Sequence, residues 1–117
     1  MSFSIDAYAF GRMVVNGREY TSDLIIYPDG RIDGSWWRAQ GHSLIPGDID
    51  ALLKKAPARL IIGTGVNGYM KVSQTLEDLC GQMGIAMEAF TTPEAVKRFN
   101  EAVKEGVNVG ACFHLTC

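Results

Sequence analysis

From Arg59 to Leu115 the chain alternates short apolar runs with amphipathic ones, and this alternation restricts the fold more than any other feature. The run "ARLIIG" is a continuous apolar strand, the kind that a parallel sheet covers on both faces. "SQTLEDLCGQMG" sets Leu76, Leu79, Cys80 and Met83 at helical spacing, with Ser73 as N-cap and Gly84 as the stop. "IAMEAF" reads as a second strand. In "TTPEAVKRFNEAVKEG", Thr91 and Glu94 have the spacing of a capping box, and Pro93 suits the first turn. Ala95, Val96, Phe99, Ala102 and Val103 form the expected buried stripe, and Gly106 closes the helix. "VNVGACFHL" is the last strand. Strand, helix, strand, helix and strand in this order imply right-handed parallel winding.

The first third reads differently. "RMVVNGREY" holds Asn16-Gly17 between β-prone stretches, a hairpin signal. Leu24, Ile25 and Ile26 are followed by the turn residues Pro28-Asp29-Gly30 and a short second strand. "IPGDIDALLKKAP" places Ile49, Leu52, Leu53 and Ala56 on one helical face, ended by Pro57. The expected fold class is α/β: a three-layer domain with a central mixed, partly parallel sheet flanked by helices and an added N-terminal β section. At 117 residues and 47% apolar content, one domain spanning 1–117 with one core is expected.

The turn after "RLIIG" spells Gly63-Thr64-Gly65-Val66-Asn67-Gly68, the G-x-G-x-x-G spacing of dinucleotide sites. In such sites the third Gly opens a helix whose N-terminus meets the pyrophosphate. Here the helical pattern starts only at Ser73, and Tyr69-Met70-Lys71-Val72 is read as intervening loop. Glu88 does fall about where a ribose-binding acid belongs, roughly 20 residues on. No cofactor is expected, and the glycines are read as a sharp turn off the sheet. Amides left free there would form a nest for a small anion at Gly63, Thr64, Gly65 and Asn67. Trp37, Arg38, His42 and Thr92 complete this candidate pocket.

Other chemistry is sparse. His42 lies in a polar loop, where its ring is expected to cap backbone groups. As strand residues Trp36-Trp37 would send one indole inward and one outward, the outer one offering a contact platform, and a bend between them would instead pack both in the core. Cys112 and His114 share a strand parity, but Cys117 does not, and no metal site is expected. Cys112 is read as core and Cys117 as a free surface thiol. Asp48, Asp50, Glu77, Asp78, Glu101 and Glu105 are read as solvated helix faces. A net charge of −2 with scattered cations excludes a phosphate-tracking surface, so no nucleic acid partner is expected. No apolar segment approaches the about 20 residues of a membrane helix. The start "MSFSIDAYAF" lacks the pattern of a signal peptide, and the three cysteines have no framework spacing. A cytoplasmic location follows as an expectation.

Taken together, "WWRAQGH", "LIIGTG", "GIAMEAFTTPEAVKRFN" and "FHLTC" resemble a family of small single-domain α/β proteins of unassigned activity. That family includes the adipogenesis-associated protein of animals and, more distantly, a mitochondrial complex I assembly factor. Thr92, Ala95 and Asn100 match its T-x-x-A-x-x-x-x-N run. Trp37-Arg38, His42, Gly63, Gly65, Phe113-His114 and Thr116-Cys117 match its other motifs. The adipogenesis-associated branch is nearer, because it shares the His and Cys of this ending, and Val107, where the assembly-factor branch usually carries Arg, weakens transfer of the complex I role. The resemblance implies a three-layer fold with a central mixed sheet and an added β layer, and it supplies no catalytic residues. The functional expectation is a non-enzymatic domain acting through a protein partner or a small anion, as monomer or homodimer. The alternatives are a small enzyme using the same pocket, with His42 or Asn100 as polar participants, or a dinucleotide binder.

Overall fold

The computed structural model describes residues 3–117. Its first elements are β1 (Ile5–Ala9), β2 (Arg12–Val15) and β3 (Arg18–Tyr20), a three-stranded antiparallel meander. Asn16 and Gly17 both adopt positive φ, 51° and 80°, which fits the primed turn that the Asn-Gly pair favours. β4 (Leu24–Ile26) and β5 (Ile32–Asp33) follow, joined by the Pro28-Asp29-Gly30 turn. Next come β6 (Ser43–Leu44), a 3-10 turn at Pro46–Ile49 and the short helix α1 (Asp50–Lys54). The remainder is β7 (Arg59–Gly63), β8 (Lys71–Val72), α2 (Gln74–Met83), β9 (Ala86–Phe90), α3 (Thr92–Lys104) and β10 (Val109–Phe113).

The central sheet has strand order β5-β4-β10-β7-β9. β7 runs parallel to both β9 and β10, while β4 and β5 extend the sheet antiparallel. The sheet is therefore mixed, as the sequence pattern predicts. Alternation along β7 divides the core in two. Leu60 and Ile62 face α1, α2, Trp36 and Met70 on one side. Ile61 faces Ala95, Phe99 and Ala102 of α3, with Ile5, Met13 and Val15 of the meander, on the other. The N-terminal β section is thus a third sheet-like layer that shares the core of α3. Asn100 fastens it: its side chain accepts from the Ile5 amide at 2.8 Å and donates to the Ile5 carbonyl at 2.9 Å.

Several local expectations are corrected. The helix expected to include Ile49 and Ala56 is a 3-10 turn followed by five residues of α-helix. Ala56 leaves it with a φ of +46°, so it cannot share the buried face of Leu52 and Leu53. Thr91 makes no side-chain cap to α3, and Glu94 pairs instead with Arg98 at 2.8 Å. Lys71-Val72 is strand rather than loop, paired parallel with Ser43-Leu44. Ser73 does cap α2, accepting from the Leu76 amide, and Gly84 ends it in the left-handed region.

Candidate functional site

The turn at Gly63–Gly68 projects from the carboxyl end of β7, where parallel sheets commonly place ligands. The amides of Thr64, Gly65, Val66 and Gly68 are already bonded. Thr64 donates to the Phe90 carbonyl at 2.9 Å and Val66 to the Thr116 carbonyl at 2.7 Å. Gly68 donates to Gly65, Tyr69 to Cys117 and Met70 to Thr64. The Gly65 amide meets the Thr92 hydroxyl at 2.9 Å, and that hydroxyl in turn donates to the His114 carbonyl at 2.7 Å. Thr64 adds its own hydroxyl to the Phe90 carbonyl. Two donors of the expected anion nest, the Thr64 and Gly65 amides, are therefore taken up by Phe90 and by Thr92.

The same packing explains the glycines without a nucleotide. A Cβ on Gly65, whose φ is +105°, would stand 2.2 Å from the carbonyl carbon of Cys117. On Gly63 it would meet the Phe113 ring at 2.8 Å. Both positions need hydrogen because the last residues lie directly on the turn. Asn67 is exposed in the loop beyond. Glu88, in the ribose-acid position, is held by the Arg59 guanidinium at 2.6 Å and 3.0 Å. Asn100 is on the other face, bound to β1, and takes no part at this end of the sheet.

Beside the turn lies a polar cluster drawn from four separate parts of the chain. Asp23, just before β4, accepts from Arg38 Nη1 at 2.6 Å and faces His114 Nδ1 at 2.8 Å through the same oxygen. Its other oxygen accepts from the Leu115 amide at 2.8 Å. Burial pushes the Asp23 carboxyl up, but the bonds from His114, Leu115 and Arg38 outweigh it and hold its pKa below the usual carboxylate value. Arg38 Nε and Nη2 also donate to the Gly41 carbonyl, and its guanidinium lies 4.8 Å from the centre of the Trp36 ring. A proton on His114 Nδ1 directed at Asp23 satisfies the Asp23 contact, Arg38 Nη2 lies 3.1 Å from the same nitrogen, and Nε2 is buried without a partner among the described residues. The arrangement looks like an acid–imidazole pair, yet the nitrogen that would face a substrate is sealed. Tyr8 closes the cluster from the meander, donating to the Leu115 carbonyl at 2.8 Å.

Over His114 lies His42, ring centroids 6.0 Å apart and edge to face, and His42 meets Tyr69 in the same manner at 6.2 Å. The His42 ring stacks; it forms no hydrogen bond to backbone among the described residues. Its loop is fixed by the Lys71 amide, which donates to the His42 carbonyl. Trp36 is 7% exposed and Trp37 85%, so one indole is inward and one outward as expected, although they lie in a loop rather than a strand. Trp36 Nε1 donates to the Asp48 carbonyl. The Asp48 carboxylate is no solvated side chain: it accepts from the Ala39 and Ile45 amides and shapes this loop.

Of the residues expected to share a pocket, Arg38 and His42 meet around His114. Gly63, Gly65 and Thr92 meet beneath residues 114–117, while Trp37 and Asn67 point to solvent. The sequence reading missed Asp23. Its one signal is a carboxylate immediately preceding the buried run Leu24–Ile26, and its partner His114 is 91 residues away. Cys112 is fully buried, and burial pushes its thiol pKa up; Cys117 is half-buried. Among the described residues no three His, Cys, Asp or Glu side chains converge as metal ligands. No helix among them is long and apolar enough to cross a membrane.

Three solved structures resemble this one across nearly its whole length. The first, MT938, is 28% identical with a TM-score of 0.85, over 99% of this chain and 100% of its own. The conserved hypothetical protein PH1505 from Pyrococcus horikoshii OT3 is 26% identical with a TM-score of 0.83, over 97% and 99%. A protein described as an outer membrane protein from Bartonella henselae is 26% identical with a TM-score of 0.85, over 99% and 97%. A family model for proteins of unknown function, DUF498/DUF598, matches residues 5–114. That span includes Asp23, Arg38, the glycine turn and His114, and the chain belongs to the DUF498/DUF598 family.

Proposed function

We propose that this protein is a non-enzymatic domain that acts by protein contact through the carboxyl end of its central sheet. The observation that carries the proposal is the exposure of aromatic side chains above a rigid polar base. Trp37 is 85% exposed and Tyr69 55%, and both are attached to segments fixed by the Asp23–Arg38–His114 cluster or by residues 114–117. Phe10, 62% exposed, belongs to the same end, since the adjacent Gly11 amide donates to the Leu115 carbonyl. Rigid aromatics lose little entropy on binding and are enriched among residues that dominate interfaces. The resemblance to the adipogenesis-associated and assembly-factor proteins supports the same role. A cytoplasmic site of action and a monomeric or homodimeric state are parts of this proposal. A small anion at Gly63–Gly65 is not, because the amides there are bonded internally.

The test is a pair of photocrosslinking experiments in the native host, with the photoreactive group at position 37 or at the distant exposed position 97. A partner captured from position 37 and not from 97, and lost in a folded Tyr69→Ala variant, supports the proposal. Equal capture from both positions, or none from 37, overturns it.

A further inference from the structure

The opposite end of the sheet holds a different feature. Between the Pro28-Asp29-Gly30 turn and the C-terminal end of α3 is a cavity of about 250 Å³. Its walls are the apolar side chains of Ile26, Phe99, Val103 and Val107, and Phe3 closes one side, edge to face with Phe99 at 6.1 Å. Gly30 turns the chain at the mouth with a φ of +91°, beside the Phe3 ring. An apolar cavity of about 150 Å³ suffices for one benzene ring, so this one admits a ring or a short branched chain.

The polar character of the mouth has one sign. Among the described residues Asp29 is the one charged side chain of the lining, and no Lys, Arg or His belongs to it. One Asp29 oxygen accepts from the Arg31 amide at 3.0 Å, and the other has no partner among the described residues. The Arg31 guanidinium does not neutralise it, since it is set over the Tyr27 ring at 4.1 Å. The lining also includes Val103 in the last turn of α3, with Gly106 and Val107 just beyond it.

We propose that this cavity binds a small apolar cation, an arylalkyl- or alkylamine. Its apolar body enters between Phe3 and Val103, and its ammonium group meets Asp29. A carboxylate-bearing ligand of the same shape meets repulsion at the same mouth. This site is independent of the contact surface at the other end of the sheet.

The experiment is an amide NMR titration of the full chain with phenethylamine and, separately, with 3-phenylpropionate. Phenethylamine is expected to shift the amides of Gly30, Gly106 and Val107 saturably at millimolar concentration and to leave Gly65 unchanged. The acid is expected to bind at least about fivefold more weakly, the size of a partly exposed charge interaction. Asp29→Asn, an exposed change, should remove the preference between the two probes. Val103→Phe should fill the cavity and abolish both titrations; should that variant not fold, Asp29→Asn decides the matter alone. Equal affinity for the two probes, shifts confined elsewhere, or no shift at millimolar phenethylamine overturns the proposal.

Discussion

At the carboxyl ends of β7 and β10, a glycine-rich turn is closed from within: its Gly65, Val66 and Tyr69 amides go to Thr92, Thr116 and Cys117, and those of Thr64, Gly68 and Met70 to Phe90, Gly65 and Thr64. At the amino end of β10, a plain Pro-Asp-Gly turn leaves a cavity of about 250 Å³ under Phe3. The end with the ligand-site motif is filled, and the end without one is open. The cause is the register of the strands. β10 and β7 end side by side at Phe113 and Gly63, and the chain runs straight on from β10, so Thr116 and Cys117 fall onto the glycine turn and accept from its donors. At the other end α3 stops at Lys104, and the side chains from Val103 to Val109 do not fill the space below the β4–β5 turn. Free donors at a glycine turn are thus decided by what else the fold lays on them.

The largest expected effect sharpens the view that the closed end is a structural lock. Asp23→Ala leaves Arg38 and His114 buried without their shared carboxylate. It should destabilise the protein by about 3–5 kcal/mol in urea unfolding at pH 7. A loss under about 1 kcal/mol would overturn this view, because the closed end would then contribute little to the fold. Gly65→Ala comes next, at about 1–3 kcal/mol, because it combines a left-handed φ with a collision against Cys117. Its signature is faster exchange of the Val66 and Tyr69 amides, whose acceptors are Thr116 and Cys117. Unchanged exchange would show that residues 114–117 are not the closing element.

A smaller effect is expected from pH. The Asp23 pKa is lowered in the folded state, so its contribution is fully present above the ordinary carboxylate range near pH 4. That contribution is lost as pH falls through the lower folded value. Between about pH 4 and pH 2 the native protein should therefore lose more stability than Asp23→Asn, the other carboxylates cancelling between the two. Parallel acid profiles would remove the lock. The smallest effect belongs to Trp37→Ala. With the indole 85% exposed, stability should stay within about 0.5 kcal/mol, while the position-37 contact is lost. A large stability loss would mean that Trp37 serves the fold instead of a partner.

The layers follow from local patterns in the chain. The apolar run Leu60-Ile61-Ile62, the stripe of α3, the Asn16-Gly17 hairpin and the Ser73 and Gly84 boundaries all depend on near neighbours in the chain. Period, caps and turn chemistry therefore disclose them. Thr91 and Glu94 show where that reasoning stops, since Glu94 had a second partner, Arg98, one turn along the same helix. The tertiary structure alone decided the two ends of the sheet. Asp23 and His114 are 91 residues apart, and Thr116 reaches Val66 only because β10 lies beside β7 in a particular register. A hydrogen-bond donor has no sequence mark for whether it is free. That depends on which distant carbonyl the packed layers bring to it, and here they brought the chain's own.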